Sequence, residues 1–290
     1  MTTWEQYLEK CGPDAKDKFR ELPKVSVVGC FQNGKSTFIN CLLDKFVARP
    51  GNGLATTKIS TRYRWGESLS VRIRSESGDL LPISLEEFLK GNEFYGISQT
   101  SAFQVEINLA RQILNGICLI DTPGFNANVE DTKNATRSLE EADYAIVVLT
   151  NERSLSQPEL AMFELIVKTR IGYAVIMNCR DSNSTKRWFP NHKKNLEIIK
   201  ENEATLTTYG YQPDLIDNQN LIYPCNLLWY WFAVNEYHKL TDESSSNEEI
   251  VENIEYLFDK KGIALSKDNL VRESNFLQVK EFFEERLTRI

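Results

Sequence analysis

Residues 24–43 read KVSVVGCFQNGKSTFINCLL, and Gly29-Cys30-Phe31-Gln32-Asn33-Gly34-Lys35-Ser36 within them fits G-x-x-x-x-G-K-[ST] at every fixed position. The β-branched run before Gly29 predicts a strand, and Lys35–Leu43 predicts a helix. Strand, glycine-rich turn, helix is the order that a phosphate site needs. The glycines let the backbone wrap closely, so that successive N–H groups converge on an anion, and the helix adds its positive end. Gly29, Gln32, Asn33, Gly34, Lys35, Ser36 and Thr37 are the candidate cradle. Lys35 supplies a point charge for β- and γ-phosphates, and Ser36 a hydroxyl for Mg²⁺.

A second motif lies downstream. The apolar run Ile117–Ile120 leads into Asp121-Thr122-Pro123-Gly124. An acidic residue at the end of such a strand can hold the Mg²⁺ shell, and Gly124 can bring its backbone N–H close to a γ-phosphate. The segment Phe125–Lys133 that follows is expected to depend on that phosphate for its order. Thr56 and Thr57 lie between the phosphate-loop helix and the next strand; the sequence does not choose which of them acts as the switch threonine. Ser36, Thr57 and Asp121 are the candidate Mg²⁺ ligands, and Lys35, Gln32, Thr56 and Thr57 the candidate catalytic residues.

A phosphate loop alone does not choose between ATP and GTP. Asn178-Cys179-Arg180-Asp181 does, because it matches N-K-x-D with cysteine in place of lysine. The Asp181 carboxylate can accept hydrogen bonds from guanine N1–H and the exocyclic amine, where adenine presents the opposite pattern. Asn178 is expected to brace neighbouring loops, and Arg180 to take over part of the missing lysine's cover of the base. Cys225-Asn226, after the strand LIYP, falls where a second base-contacting loop would lie. GTP or GDP with Mg²⁺ is therefore the expected ligand set.

Around these motifs, strands alternate with helices. Ala145–Leu149, Ala174–Asn178 and Leu221–Cys225 read as strands, and Pro158–Lys168 and Lys193–Thr207 as helices. The fold class is α/β, a mainly parallel sheet with helices on both faces. Lys58–Trp65 and Ser70–Arg74 read as a hairpin carrying Arg62, Arg64, Arg72 and Arg74, a stripe best explained as a solvated strand face. Residues 1–23 are expected to form a helix beside a core of 24–240. Residues 241–250, polar and acidic, form a linker, and 251–290 form C-terminal helices, among them one over Val271–Leu287.

Composition narrows the partners. The chain has 290 residues, 41% of them hydrophobic and 26% charged, with a formal net charge of −7. That balance argues against a nonspecific grip on nucleic acid. The six dispersed cysteines and two histidines show no metal-ligand spacing and suit a reducing, cytoplasmic setting. No uninterrupted apolar stretch reaches the length of a membrane-spanning helix.

GCFQNGKSTFINCLL, the ATT before the strand ending RYRWG, NGICLIDTPGF, and ADYAIVVLTNERSLSQPEL together resemble the dynamin-like GTPases, bacterial ones in particular. RSLSQPEL is the most family-specific of these. The resemblance spans about residues 24–230, with a looser echo in RESNFLQVKEFFEERL. It implies a P-loop GTPase fold, hydrolysis of GTP, and a helix before the core packed against one after it. It also implies assembly across the nucleotide face, as a homodimer or with a related dynamin-like chain. Two features depart from the pattern. Phe31 stands where several eukaryotic dynamins carry a catalytic glutamine, with Gln32 beside it. The sequence also ends near the end of the expected GTPase core, where the resemblance implies that a stalk and membrane-binding tip would take several hundred further residues. Membrane association is therefore expected only through a partner, and a nucleotide-dependent binding switch with negligible hydrolysis is the alternative reading.

Overall fold

The computed structural model describes residues 22–49, 60–75, 80–90, 102–125, 129–180, 189–236 and 248–287. In chain order the elements are β1 (Lys24–Val28), α1 (Lys35–Leu42), β2 (Thr61–Trp65), β3 (Ser70–Ser75), β4 (Leu80–Ile83) and α2 (Leu85–Lys90). Then come β5 (Ala102–Leu109), β6 (Cys118–Asp121), α3 (Val129–Glu140), β7 (Tyr144–Thr150), α4 (Gln157–Thr169), β8 (Gly172–Asn178) and α5 (Lys193–Thr208). The last are β9 (Ile222–Cys225), α6 (Leu227–Trp231), α7 (Glu248–Lys260), α8 (Lys267–Ser274) and α9 (Phe276–Leu287). Residues 1–21 and 241–247 lie outside the described residues, and with them nearly all of the expected N-terminal helix and most of the acidic linker.

Among the described residues one nine-stranded sheet runs β4-β3-β5-β2-β6-β1-β7-β8-β9. From β6 through β9 every pairing is parallel. Side-chain alternation along these strands makes two cores. Val25, Val27, Tyr144, Ile146, Val148, Ala174 and Ile176 face α1, α6 and α9. Val28, Ala145, Val147, Leu149, Tyr173, Val175 and Met177 face α3, α4 and α5. Strands buried on both faces explain why they read as continuous apolar runs.

The expected hairpin of β2 and β3 is not formed. β5 lies between them, parallel to β2 and antiparallel to β3. The reason is register. A hairpin closing at Trp65 and Ser70 would set Arg64 opposite Val71 and Tyr63 opposite Arg72, mixing charge and apolar groups on each face. With β5 inserted, Tyr63, Ile107 and Val71 align on the core side. Arg62 and Arg72 both align with Glu106 on the other side. Glu106 also takes an ion pair from Arg74 at 2.9 Å, and Arg62 reaches Glu141 at 3.7 Å.

The reading of one helix over Val271–Leu287 is also corrected. Asn275 adopts a left-handed conformation, φ 58°, and separates α8 from α9. Asparagine tolerates this conformation better than most residues. The break lets α9 turn Phe276, Val279, Phe283 and Leu287 into the core under α1. Phe38 of α1 meets both Phe276 and Phe283 edge-on, with ring centroids 5.8 Å apart in each case. A smaller cluster joins Trp229 and Phe232 to Phe258 of α7 and Leu270 of α8.

The C-terminal helix is thus part of the core behind the phosphate loop. Phe283→Ala is expected to lower unfolding stability by about 3–5 kcal/mol, as for other fully buried phenylalanines. Urea denaturation measures this, and a loss below about 1 kcal/mol would mean that α9 docks without being part of the cooperative unit.

Candidate functional site

β1 ends at Val28, and Gly29–Gly34 turn the chain into α1. Gly34 occupies φ 98°, and a Cβ there would fall 2.5 Å from Asn178 Nδ2, so neither its conformation nor its surroundings admit a side chain. It is also the N-cap of α1, which therefore begins without a capping side chain. Gln32 is exposed, in the left-handed region at φ 64°. Lys35 is buried, and its Nζ donates to the carbonyls of Gly29 and Cys30, 3.2 Å from each. Burial lowers the pKa of this ammonium, and the negative charge of Asp121 is the largest influence opposing the shift. Thr37 is half-buried on α1.

Asp121, at the end of β6, comes against the start of α1. Ser36 Oγ donates to its Oδ2 at 2.9 Å. The other oxygen, Oδ1, is buried and has no hydrogen-bond partner among the described residues. Burial pushes this carboxyl up to about 6, while Lys35 and the Ser36 hydroxyl act in the opposite direction. Beyond Asp121 the chain is fastened along the phosphate loop. Thr122 Oγ1 donates to Val27 O at 2.7 Å, Phe125 N to Gly29 O at 3.1 Å, and Phe31 N to Phe125 O at 3.3 Å. Gly124 lies so close that a Cβ would meet Phe31 Cα at 2.9 Å. Part of the segment Phe125–Lys133, expected to depend on the γ-phosphate for its order, is placed here. Phe125 is buried in the core, and Val129–Lys133 open α3, whose Ala135 and Leu139 are buried. Residues 126–128 lie outside the described residues, as do Thr56 and Thr57.

At the end of β8, Asn178 braces neighbouring loops. Its Nδ2 donates to Asn33 O at 3.2 Å, and its Oδ1 accepts from Leu227 N at 3.5 Å. Cys179 N donates to Cys225 O at 2.7 Å, continuing the β8–β9 ladder. Arg180 pairs with Glu152 at 3.1 Å, and its backbone N–H donates to Asn151 Oδ1. Asp181 lies outside the described residues. Cys225 and Asn226 are fully buried, and the Asn226 side chain caps α6 by accepting from Trp229 N at 3.0 Å.

Sequence reasoning missed one group. Glu159, in the first turn of α4, is 2% exposed and accepts from Asn33 Nδ2 at 3.2 Å. Ser156-Gln157-Pro158-Glu159 has the spacing of a capping box, and that box is formed. The spacing was visible; the carboxylate's second contact, to the phosphate loop, was not.

A family model described as "Dynamin family" matches residues 25–170. Dynamin-like protein 2 of Campylobacter jejuni subsp. jejuni serotype O:23/36 (strain 81-176) is 28% identical over 125 residues, 42% of this chain and 20% of that protein. Two solved chains described as parts of an oligomerised bacterial dynamin pair share the fold with TM-scores of 0.52 and 0.53. Both are 18% identical to this chain and cover 94% of it, while it covers 38% of each. The chain thus spans about a fifth of the curated relative and well under half of the solved ones. The family match runs from β1 to the end of α4 and takes in half of the sequence, so the chain belongs to the dynamin family.

Proposed function

We propose that this chain binds guanine nucleotide with Mg²⁺ and hydrolyses GTP to GDP and phosphate. The observation that carries the reading is the junction of Lys35, Ser36 and Asp121 at the carboxyl ends of parallel strands, with one carboxylate oxygen buried and without a hydrogen-bond partner among the described residues. A hydroxyl and a carboxylate are hard oxygen donors and suit Mg²⁺, which keeps waters and takes phosphate oxygens for the rest of its shell. Ser36 and Asp121 would hold the ion, with Thr56 or Thr57. Bound there, it would supply neutralisation of the charge on the β- and γ-phosphates.

The chain's own groups have defined tasks in this reading. Lys35 leaves the loop carbonyls it occupies and pairs with the phosphates. The phosphate-loop amides and the uncapped start of α1 accept the remaining charge. Gly124 presents its N–H to the γ-phosphate. Asp181 reads guanine, while Asn178 fixes the loops around it. A water oxygen attacks the γ-phosphorus as the bond to the β–γ bridging oxygen breaks, and catalysis is positioning and charge stabilisation. Residues 24–240 serve as the nucleotide core.

Activation by assembly across the nucleotide face is part of the proposal. The solved relatives are described as an oligomerised pair with a role in sensing and tethering membranes. Association of this chain with membrane is proposed to run through such a partner, since no helix among the described residues is long and apolar enough to cross a bilayer. The second reading, a binding switch with negligible hydrolysis, draws on Phe31, which sits against Gly124 where it offers no polar atom to orient water.

Lys35→Ala is expected to abolish measurable GTP and GDP binding in calorimetry while the far-ultraviolet spectrum stays unchanged. Undiminished affinity in the folded variant would sink the phosphate assignment. Asp181→Asn is expected to weaken GTP and favour xanthosine triphosphate, because the amide donates to the xanthine oxygen where the carboxylate accepted from guanine. Retained preference for GTP would move the base site elsewhere. Specific activity per chain is expected to rise with protein concentration, and GDP with aluminium fluoride to shift light scattering from monomer towards dimer. Flat activity and a strict monomer would leave the switch or a different partner chain.

A further inference from the structure

We propose that Glu159 is a positioning residue for the nucleotide, holding the phosphate loop in its binding conformation through the side chain of Asn33. The proposal rests on the nucleotide-binding reading above and adds a residue to it that lies outside the phosphate, metal and base motifs.

A capping box accounts for only half of this carboxylate. Oε2 accepts from Ser156 N at 2.8 Å and Ser156 Oγ at 2.6 Å, which closes the start of α4. Oε1 points away from the helix, to Asn33 Nδ2 at 3.2 Å and to Arg153 Nη2 at 3.5 Å. A cap does its work in water, as Ser84 and Glu87 do on the surface of this same chain. Glu159 is buried instead, at 2% exposure, beneath a loop read as binding phosphates. A negative charge there repels a nucleotide, so its presence under the loop calls for a compensating role.

The purpose follows from where Asn33 sits. Its side chain donates to Glu159 and to Val148 O at 2.9 Å, and its carbonyl accepts from Asn178 Nδ2. The residue is thus tied to β7, α4 and β8 at once. Its own N–H closes a turn onto Cys30 O at 3.3 Å, and Gly34 and Lys35, whose N–H groups are expected to face the phosphates, follow it directly. Fixing the plane of these peptides before ligand arrives removes the entropy of ordering them from the binding step. Arg153, half-exposed, balances the buried charge from the outer side and also lies beside the Cys30 thiol of the loop.

The test uses the full 290-residue chain, as wild type, Asn33→Ala, Glu159→Gln, Glu159→Asp and the Asn33→Ala/Glu159→Gln pair. Leu270→Ala, in the separate cluster around α8, serves as a destabilised control. Two measurements are made: amide hydrogen exchange of residues 29–36 without ligand, and equilibrium titration with fluorescent GDP. Each single variant is expected to speed exchange in the loop and to weaken GDP roughly tenfold, the scale of one hydrogen bond to a charged group. The double variant is expected to lose no more than Asn33→Ala alone, because Asn33→Ala already removes the contact that the loss of the Glu159 charge weakens. Glu159→Asp keeps the charge but not the reach, and should behave like Glu159→Gln. Leu270→Ala should lower the melting temperature and move neither readout.

Several results would overturn the proposal. Tighter or unchanged GDP binding in Glu159→Gln would mean that only the charge is felt. Additive losses in the double variant would mean that the two residues act separately. If Glu159→Gln does not fold, Asn33→Ala and Glu159→Asp carry the same comparison. If the wild type binds no guanine nucleotide, the reading of function fails, and the exchange data still decide: unchanged protection of residues 29–36 ends the proposal, and faster exchange sustains the clamp.

Discussion

A loop that binds phosphate has to keep several backbone N–H groups convergent and unpaired, although unpaired amides are among the least favourable things a folded chain can hold. Here the loop is held from behind. Asn33 turns its side chain inward to β7 and α4, Asn178 grips its carbonyl, and Phe125 lies alongside through Gly29 and Phe31. Each anchor comes from a strand end or a helix start that the apolar alternation of the sheet has already fixed. The geometry of the loop is therefore inherited from the two cores.

The same site concentrates buried charge. Lys35, Asp121 and Glu159 are all nearly inaccessible, and each loses hydration that protein partners replace only in part. Lys35 turns back to loop carbonyls, and Asp121 satisfies one oxygen with Ser36 and leaves the other without a hydrogen-bond partner among the described residues. A cluster built only for stability would satisfy or eliminate that oxygen. Its retention beside a lysine and a helix start fits a place where ligand charge and metal ion complete the set.

The far end of the chain supports the same loop. α9 packs Phe276 and Phe283 edge-on against Phe38, in the helix that begins with Lys35. Lys280 pairs with Asp44, which also accepts from Tyr230 Oη at 3.0 Å, joining the end of α1 to α6 and α9. Displacement of α9 would uncover aromatic surface directly behind the phosphate loop. The nucleotide helix and the C-terminal helices therefore share one core.

Local sequence determined much of this protein. G-x-x-x-x-G-K-[ST], DTPG and the N-C-R-D tetrapeptide each carry their chemistry in residues adjacent along the chain, and apolar runs bounded by turns located most of the parallel strands. The strand readings succeed because the forces behind them act over a few residues. The insertion of β5 between β2 and β3 was hidden, since pairing partners are chosen by register across the sheet and not by nearness in sequence. The helix over Val129–Glu140 escaped notice because its apolar content is slight, with Ala135 and Leu139 doing the packing. The link from Asn33 to Glu159 crosses 126 residues, and the burial of Glu159 exists only once α4 docks against the loop. The sequence by itself thus determined the local order of strand, loop and helix, because neighbouring residues set it; only tertiary structure decided what holds that loop in place, because burial and distant contacts do.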